Sequence, residues 1–325
     1  MHTPKCTQLH AMNTTRTEKE LSGFVFDIQG LSVHDGPGCR TLIFLNGCSL
    51  NCFWCSNPEG ISNVPLPLYF ATKCILCNNC VEACGYDAIT NSEGILKIDR
   101  NICSKCAERE CLNTCYTDAL KLGGREMTVS KLVSIIQRDR QFWGSEGGMT
   151  LTGGEPLLQA EFACEVLKQC HEAYIHTAIE TCGNVPSQSF SKVMPYLDWM
   201  FFDLKHLNSE AHKNGTGAGN KLILENAKLV AREFKGRLIF RLPLIPGYND
   251  SLENIMSVVN FLKECGKNEI NVLPLHHLGR EKYNVSGKEY TGMSFAVPSN
   301  NDLKNIKDIF TKEGITCYTG SETPF

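Results

Sequence analysis

The chain has 18 cysteines in 325 residues, and eleven of them fall between Cys48 and Cys115 in tightly spaced groups. The first group is Cys48, Cys52 and Cys55, spaced C-x3-C-x2-C within GCSLNCFWCSNPEG. Three thiols this close can chelate one metal centre. Structural zinc takes four ligands and closes its site. A [4Fe-4S] cluster held by three cysteines keeps one iron free for a substrate, and thiolate donors select soft Fe–S or zinc centres. Zinc completed by a fourth ligand from elsewhere is the competing reading. Two quartets follow, Cys74-x2-Cys77-x2-Cys80-x3-Cys84 and Cys103-x2-Cys106-x4-Cys111-x3-Cys115. The first has the spacing of two-cluster ferredoxins, in which the fourth cysteine crosses to the other cluster. On that logic Cys74, Cys77, Cys80 and Cys115 hold one cluster, and Cys103, Cys106, Cys111 and Cys84 the other. Zinc knuckles are the alternative. Gly85 and Tyr116 stand where the ferredoxin run has proline, and Arg109 and Glu110 lengthen the second quartet's middle loop.

The elements that must position these groups read as an α/β pattern. Residues 40–45 (RTLIFL) suit a strand that runs directly into the first cysteine group. Further strands are expected over 148–152, 175–180, 199–205, 237–244 and 269–275. Helices are expected over 130–142, 159–173, 186–194, 222–234, 252–264 and 300–312. Six βα units in series make a parallel sheet with helical crossovers. Nearly every strand ends in a polar or glycine-rich motif, as at the working face of a barrel, which favours a complete or partial (β/α)6 barrel over an open doubly wound sheet. Residues 66–124 interrupt the pattern as a small inserted module, leaving 21–65 and 125–325 for the barrel and a loose polar arm over 1–20. Alternation places Asp203 and Lys205 on one strand face and Leu204 on the other, and turns Arg241 away from an apolar face, so that charge gathers inside the barrel near its top.

The charge balance, 32 basic against 35 acidic side chains, argues against a nucleic-acid or polybasic membrane surface. No apolar run is long enough to span a membrane, and the first twenty residues contain no apolar block like a signal sequence. The expectation is a monomeric protein of a reducing cytoplasm. Cys39, Cys164, Cys170 and Cys182 are read as structural thiols.

Cys48-x3-Cys52-x2-Cys55, with Trp54 before the third cysteine, resembles the signature of the radical S-adenosylmethionine superfamily. HDGPGCRT (34–41), the two quartets, GGEP (153–156), DLK (203–205) and LPLHHLG (273–279) resemble a narrower group, the glycyl radical enzyme activating enzymes. FLNGC, ECLNTCY and CYTGSETPF are most similar to activators of arylacetate decarboxylases. The resemblance implies that Cys48, Cys52 and Cys55 hold the catalytic cluster, the first of three [4Fe-4S] clusters. It places Trp54, Cys55 and Ser56 along the adenine of S-adenosylmethionine, and Gly153 and Gly154 at the methionine amino group. Glu155 supports that loop, while Asp203, Leu204 and Lys205 lie at the carboxylate and ribose region. His276, or less favourably His277, sits near the ribose, with Glu180 and Arg241 as further pocket residues. The implied reaction is reductive cleavage of S-adenosylmethionine to methionine and a 5′-deoxyadenosyl radical, which takes a Cα hydrogen from a glycine of a large partner enzyme. The quartets would relay electrons from a ferredoxin or flavodoxin, under anaerobic conditions. His34, Asp35 and Arg40 belong to the signature without a derivable role.

Two other classes compete. A radical enzyme acting on a small molecule or short peptide would share the three-cysteine site and the extra clusters, and an electron carrier would need only the quartets. Activators of other glycyl radical enzymes, acting on glycerol- or choline-type enzymes, benzylsuccinate synthase or formate-lyase, stay open within the family.

Overall fold

The computed structural model describes residues 20–320, 322 and 325, so the arm expected over 1–20 lies outside it except for Glu20. β1 (Ser22–Ser32) and β2 (Arg40–Leu45) form an antiparallel pair. Four short strands follow, β3 (Pro67–Tyr69), β4 (Ile89–Ser92), β5 (Ile95–Ile98) and β6 (Leu120–Leu122), and then β7 (Arg125–Thr128). From β8 (Gly148–Gly153) strands alternate with helices. These strands are β9 (His176–Thr181), β10 (Trp199–Asp203), β11 (Arg237–Leu244), β12 (Glu269–Pro274) and β13 (Thr316–Thr319). The intervening helices are Ala160–Glu172, Ser187–Val193, Lys221–Glu233, Leu252–Glu264 and Asn300–Lys312, close to the expected bounds.

Nine strands form one sheet in the order β13, β12, β11, β10, β9, β8, β2, β1, β7. From β2 to β13 every pairing is parallel, and in this sheet only β1 runs against the rest, paired antiparallel with both β2 and β7. The parallel order never reverses, so there is no switch point of the doubly wound kind. The sheet is an open arc ending on β13 and β7. β1, β7 and β13 were not expected from the sequence. Asp27 and Gly30 interrupt the apolar pattern of β1, and all three are held by pairing to distant segments.

The two faces separate as alternation requires. Met200, Phe202, Leu204, Leu238, Phe240 and Leu242 join the large core under the helices. Ala178, Trp199, Phe201 and Ile239 form their own cluster. The HDGPG loop enters β2 at the end opposite the cysteines, and Arg40 fixes it there. Its guanidinium is fully buried and donates to the carbonyls of Pro37 (3.0 Å) and Met149 (2.5 Å) and to Thr150 Oγ1 (2.8 Å). Arg40 thereby ties the loop to two strand starts.

The β3–β6 pair, Pro67 opposite Leu122, closes off the cysteine-rich segment. That segment's core is small, built from Cys80, Ile89, Leu96, Cys111 and Leu120.

Candidate active site

The loop after β2 carries Cys48, Cys52 and Cys55 and is held by backbone hydrogen bonds on both sides. Gly47 and Cys48 donate to the carbonyls of Gly60 and Ile61 at 2.8 and 3.0 Å. Asn51 and Phe53 donate to those of Thr216 and Gly215 at 2.7 and 3.1 Å, at the end of helix Ser209–Thr216. Sequence reading had not placed that helix. Its Asn208 cap and Gly217 terminator are the signals that mark it.

GGEP, after β8, packs directly on this loop. Gly154 donates to Leu45 O (2.9 Å) and Glu155 to Gly47 O (2.6 Å). Gly153 has φ +115, and a Cβ on Gly154 would stand 2.1 Å from Gly47 O. Both positions therefore need glycine. Gly154→Ala is expected to cost about 1–3 kcal/mol by forcing the two loops apart. The check is a lower denaturation midpoint under anaerobic conditions. Glu155 is fully buried and accepts from Leu157 N (3.0 Å), Thr181 Oγ1 (2.9 Å) and Cys182 N (2.7 Å). Its side chain ties GGEP to ETCG after β9.

These loops surround a cavity of about 250 Å³ lined by Cys48, Cys52, Trp54, Cys55, Ser56, Gly153, Gly154, Glu180, Asp203, Lys205, Arg241 and His276. Glu155 stands behind the lining as a brace. Leu204, which the resemblance set with Asp203 and Lys205 at the carboxylate and ribose region, has its side chain in the core under the helices, on the strand face that alternation gave it. His277 also turns away, with Nδ1 2.9 Å from Tyr290 Oη and Nε2 3.2 Å from Phe295 O. Cys182, read from sequence as structural, lines the cavity as well. Its thiol is the first cause of a lowered Cys48 pKa. Only its place two residues after Glu180 signalled this position.

Four charges from neighbouring strand ends form one network. Arg241 Nη1 donates to Glu180 Oε1 (2.6 Å) and its Nε to Asp203 Oδ1 (2.9 Å). Lys205 Nζ donates to Asp203 Oδ2 (2.9 Å), and Thr152 Oγ1 to Glu180 Oε2 (2.7 Å). Two cations balance two carboxylates. Burial opposes the charge on Lys205, but Asp203 and the Cys52 thiol outweigh it and raise the amine's pKa. Burial pushes the thiols of Cys52 and Cys55 up to about 12 and about 11. Burial, then His277, lowers the pKa of His276.

In the cysteine-rich segment the thiols that act on Cys80 and Cys111 follow the two expected sets, except that Cys80 also acts on Cys111. Burial, then Cys115, Cys74 and Cys77, raises Cys80. Burial, then Cys84, Cys103 and Cys106, pushes Cys111 up to about 11. Backbone amides of Ala88, Arg109 and Leu120 donate to the sulfurs of Cys84 (3.2 Å), Cys106 (3.4 Å) and Cys115 (3.3 Å). Amide donors around half-buried soft thiols suit an iron–sulfur group. Among the described residues, no three histidine, cysteine or acidic side chains are grouped to hold a single metal ion.

A parallel sheet with a three-cysteine loop at one strand's end, facing a glycine turn and a buried lysine, defines a class. The family model for the radical SAM superfamily matches residues 42–259, and the chain belongs to that superfamily and, within it, to the activating enzymes of glycyl radical enzymes. It is 45% identical over 314 residues to the 4-hydroxyphenylacetate decarboxylase activating enzyme of Clostridioides difficile (strain CD196), covering 95% of this chain and 99% of the relative. It is 39% identical over 306 residues to the indoleacetate decarboxylase activating enzyme of Tractidigestivibacter scatoligenes, covering 92% and 97%. Among solved structures, a radical SAM methyltransferase from Sphaerobacter thermophilus shares the fold, with a TM-score of 0.50 and 15% identity over 86% of this chain and 66% of that one. The family uses a [4Fe-4S] cluster and S-adenosylmethionine. Among the described residues no helix is long and apolar enough to cross a membrane.

Proposed function

We propose that the chain activates an arylacetate decarboxylase of the glycyl radical type, with 4-hydroxyphenylacetate decarboxylase as the best candidate partner. The observation that carries this reading is the cavity in which three thiols, the GGEP turn and the Asp203–Lys205 pair meet, in a chain so similar to activators of such decarboxylases. Cys48, Cys52 and Cys55 hold the catalytic cluster. When bound, the cluster would supply the one-electron reduction needed to split S-adenosylmethionine to methionine and a 5′-deoxyadenosyl radical, which would take a Cα hydrogen from the partner's glycine.

The chain's own residues bind and orient. Lys205, kept protonated by Asp203, is the cation for the methionine carboxylate. Gly153 and Gly154 let backbone approach the amino group closely, and Glu155 holds that turn in place. Trp54, Cys55 and Ser56 line the adenine side. His276, neutral because burial disfavours its charge, offers a ribose hydroxyl a hydrogen bond. The thiol sets Cys74, Cys77, Cys80, Cys115 and Cys84, Cys103, Cys106, Cys111 hold two auxiliary [4Fe-4S] clusters in an inserted ferredoxin-like module over 66–124. Its small core is consistent with a module that metal holds folded. Electrons come from a ferredoxin or flavodoxin of a reducing, anaerobic cytoplasm, and the activator works as a monomer.

The test mixes the reduced protein, S-adenosylmethionine and 4-hydroxyphenylacetate decarboxylase anaerobically and records the radical spectrum. A glycyl radical signal on the decarboxylase, with 5′-deoxyadenosine in matching amount, is expected. Product without partner radical overturns the activator reading in favour of a small-molecule enzyme. Radical on an indoleacetate decarboxylase alone reassigns the partner.

A further inference from the structure

Residues 279–288 form a segment wedged between the catalytic loop and the inserted module. On one side it meets the residues that follow Cys55. A Cβ on Gly279 would stand 2.9 Å from Ser56 Cα. Lys282 Nζ donates to Asn57 Oδ1 (2.8 Å) and pairs with Glu59 Oε1 (2.8 Å), while Lys288 Nζ donates to Pro58 O (2.7 Å). On the other side it meets Arg100. That side chain donates from Nη2 to Val285 O (3.0 Å) and from Nε to Pro67 O (3.0 Å). Gly287, at φ +63, leaves room for it, because a Cβ there would lie 2.0 Å from Arg100 Nη1.

Arg100 opens the short helix that ends in Cys103. The same quartet touches the module's stem a second time, since Arg109 Nη1 donates to Pro65 O (2.6 Å) and its Nε to Cys106 O (3.1 Å). The other thiol set reaches the β3–β6 stem through Cys115, whose sulfur accepts from Leu120 N (3.3 Å), and extends to the tip of the β4–β5 hairpin. Asn91 Nδ2 donates to Asn78 Oδ1 (2.6 Å), and a Cβ on Gly94 would face Leu76. There Cys77 is exposed, with Ile75, Leu76 and Ile95 exposed around it.

We propose that the second set, Cys84, Cys103, Cys106 and Cys111, holds the cluster adjacent to the catalytic one, with residues 279–288 as the bridge and Arg100 as the residue that seats the module on it. This rests on the three-cluster reading above and adds an order to it. One electron from a low-potential iron–sulfur or flavin protein enters at the exposed Cys77 end. It passes to the second set and then across the bridge, each donor being oxidised by one electron as the next centre is reduced. Tunnelling rates fall steeply with distance, which favours as last donor the set whose helix Arg100 seats on the bridge.

The experiment measures iron content and the spin relaxation of the reduced catalytic cluster, identified as the signal that S-adenosylmethionine perturbs. Magnetic coupling to a nearby reduced cluster speeds that relaxation. Removing the second set's cluster (Cys103→Ala with Cys106→Ala) is expected to slow it several-fold, and removing the first (Cys74→Ala with Cys77→Ala) to leave it unchanged. Arg100→Ala, with all iron retained, is expected to slow it without removing any cluster, which keeps the test sound if a quartet variant misfolds. Three clusters with the opposite dependence, or an Arg100 variant with unaltered coupling, overturn this order alone. Wild-type protein holding iron for one cluster overturns the three-cluster reading and this order with it.

Discussion

Cys52→Ala protein, reconstituted with iron and sulfide and reduced anaerobically, is expected to form 5′-deoxyadenosine only at background level. Cys52 lines the cavity with Cys48 and Cys55, on a loop whose amides are bound by Gly60, Ile61, Gly215 and Thr216. That loop has little freedom to bring another donor into the vacated place. Cys182 is the one further thiol in the lining, so Cys52→Ala with Cys182→Ala belongs beside the single variant. Iron should fall by one cluster's worth, with the iron of the proposed auxiliary clusters retained. Turnover by the single variant that disappears in the double one identifies Cys182 as a substitute ligand. Turnover that survives both contradicts the three-cysteine site.

Arg241→Met is expected to have the largest effect on stability. The guanidinium is shared between Glu180 and Asp203 and stacks 4.8 Å from the Phe201 ring. Its removal leaves two buried carboxylates with Lys205 as their nearest cation. Breaking a buried ion pair on one side costs about 3–5 kcal/mol. Lys205 would then be held more tightly by Asp203, and binding of S-adenosylmethionine is expected to weaken by about tenfold, roughly 1.4 kcal/mol. The measurements are the anaerobic denaturation midpoint and a binding isotherm. Adding Glu180→Gln should recover part of the stability, since one uncompensated charge is then gone. An unchanged midpoint in the single variant would show that the network contributes no net stability.

Much of the site was legible in the chain itself. Cys48, Cys52 and Cys55 lie within eight consecutive residues, so their donors stay together in any compact loop. The period of two along WMFFDLK separated Asp203 and Lys205 from Leu204, and the core position of Leu204 follows that alternation. Cys182 was missed because nothing local distinguishes a thiol that lines a cavity from one that packs in a core. β1, β7 and β13 were missed because their stability comes from partners far along the chain.

The sequence by itself determined the close grouping of the thiols, the run of βα units and the interruption by a cysteine-rich segment, because each is carried by residue types at short spacing. The tertiary structure alone decided that Glu180, Asp203 and Arg241 meet, since their contact depends on the parallel register that sets Phe201 beside Glu180 and Asp203 beside Arg241. It alone decided that residues 279–288 lie between Cys55's loop and Arg100, a juxtaposition of segments about 185 residues apart. Short spacing survives any folding of the chain, whereas register and docking arise only from strand pairing and side-chain packing between distant segments.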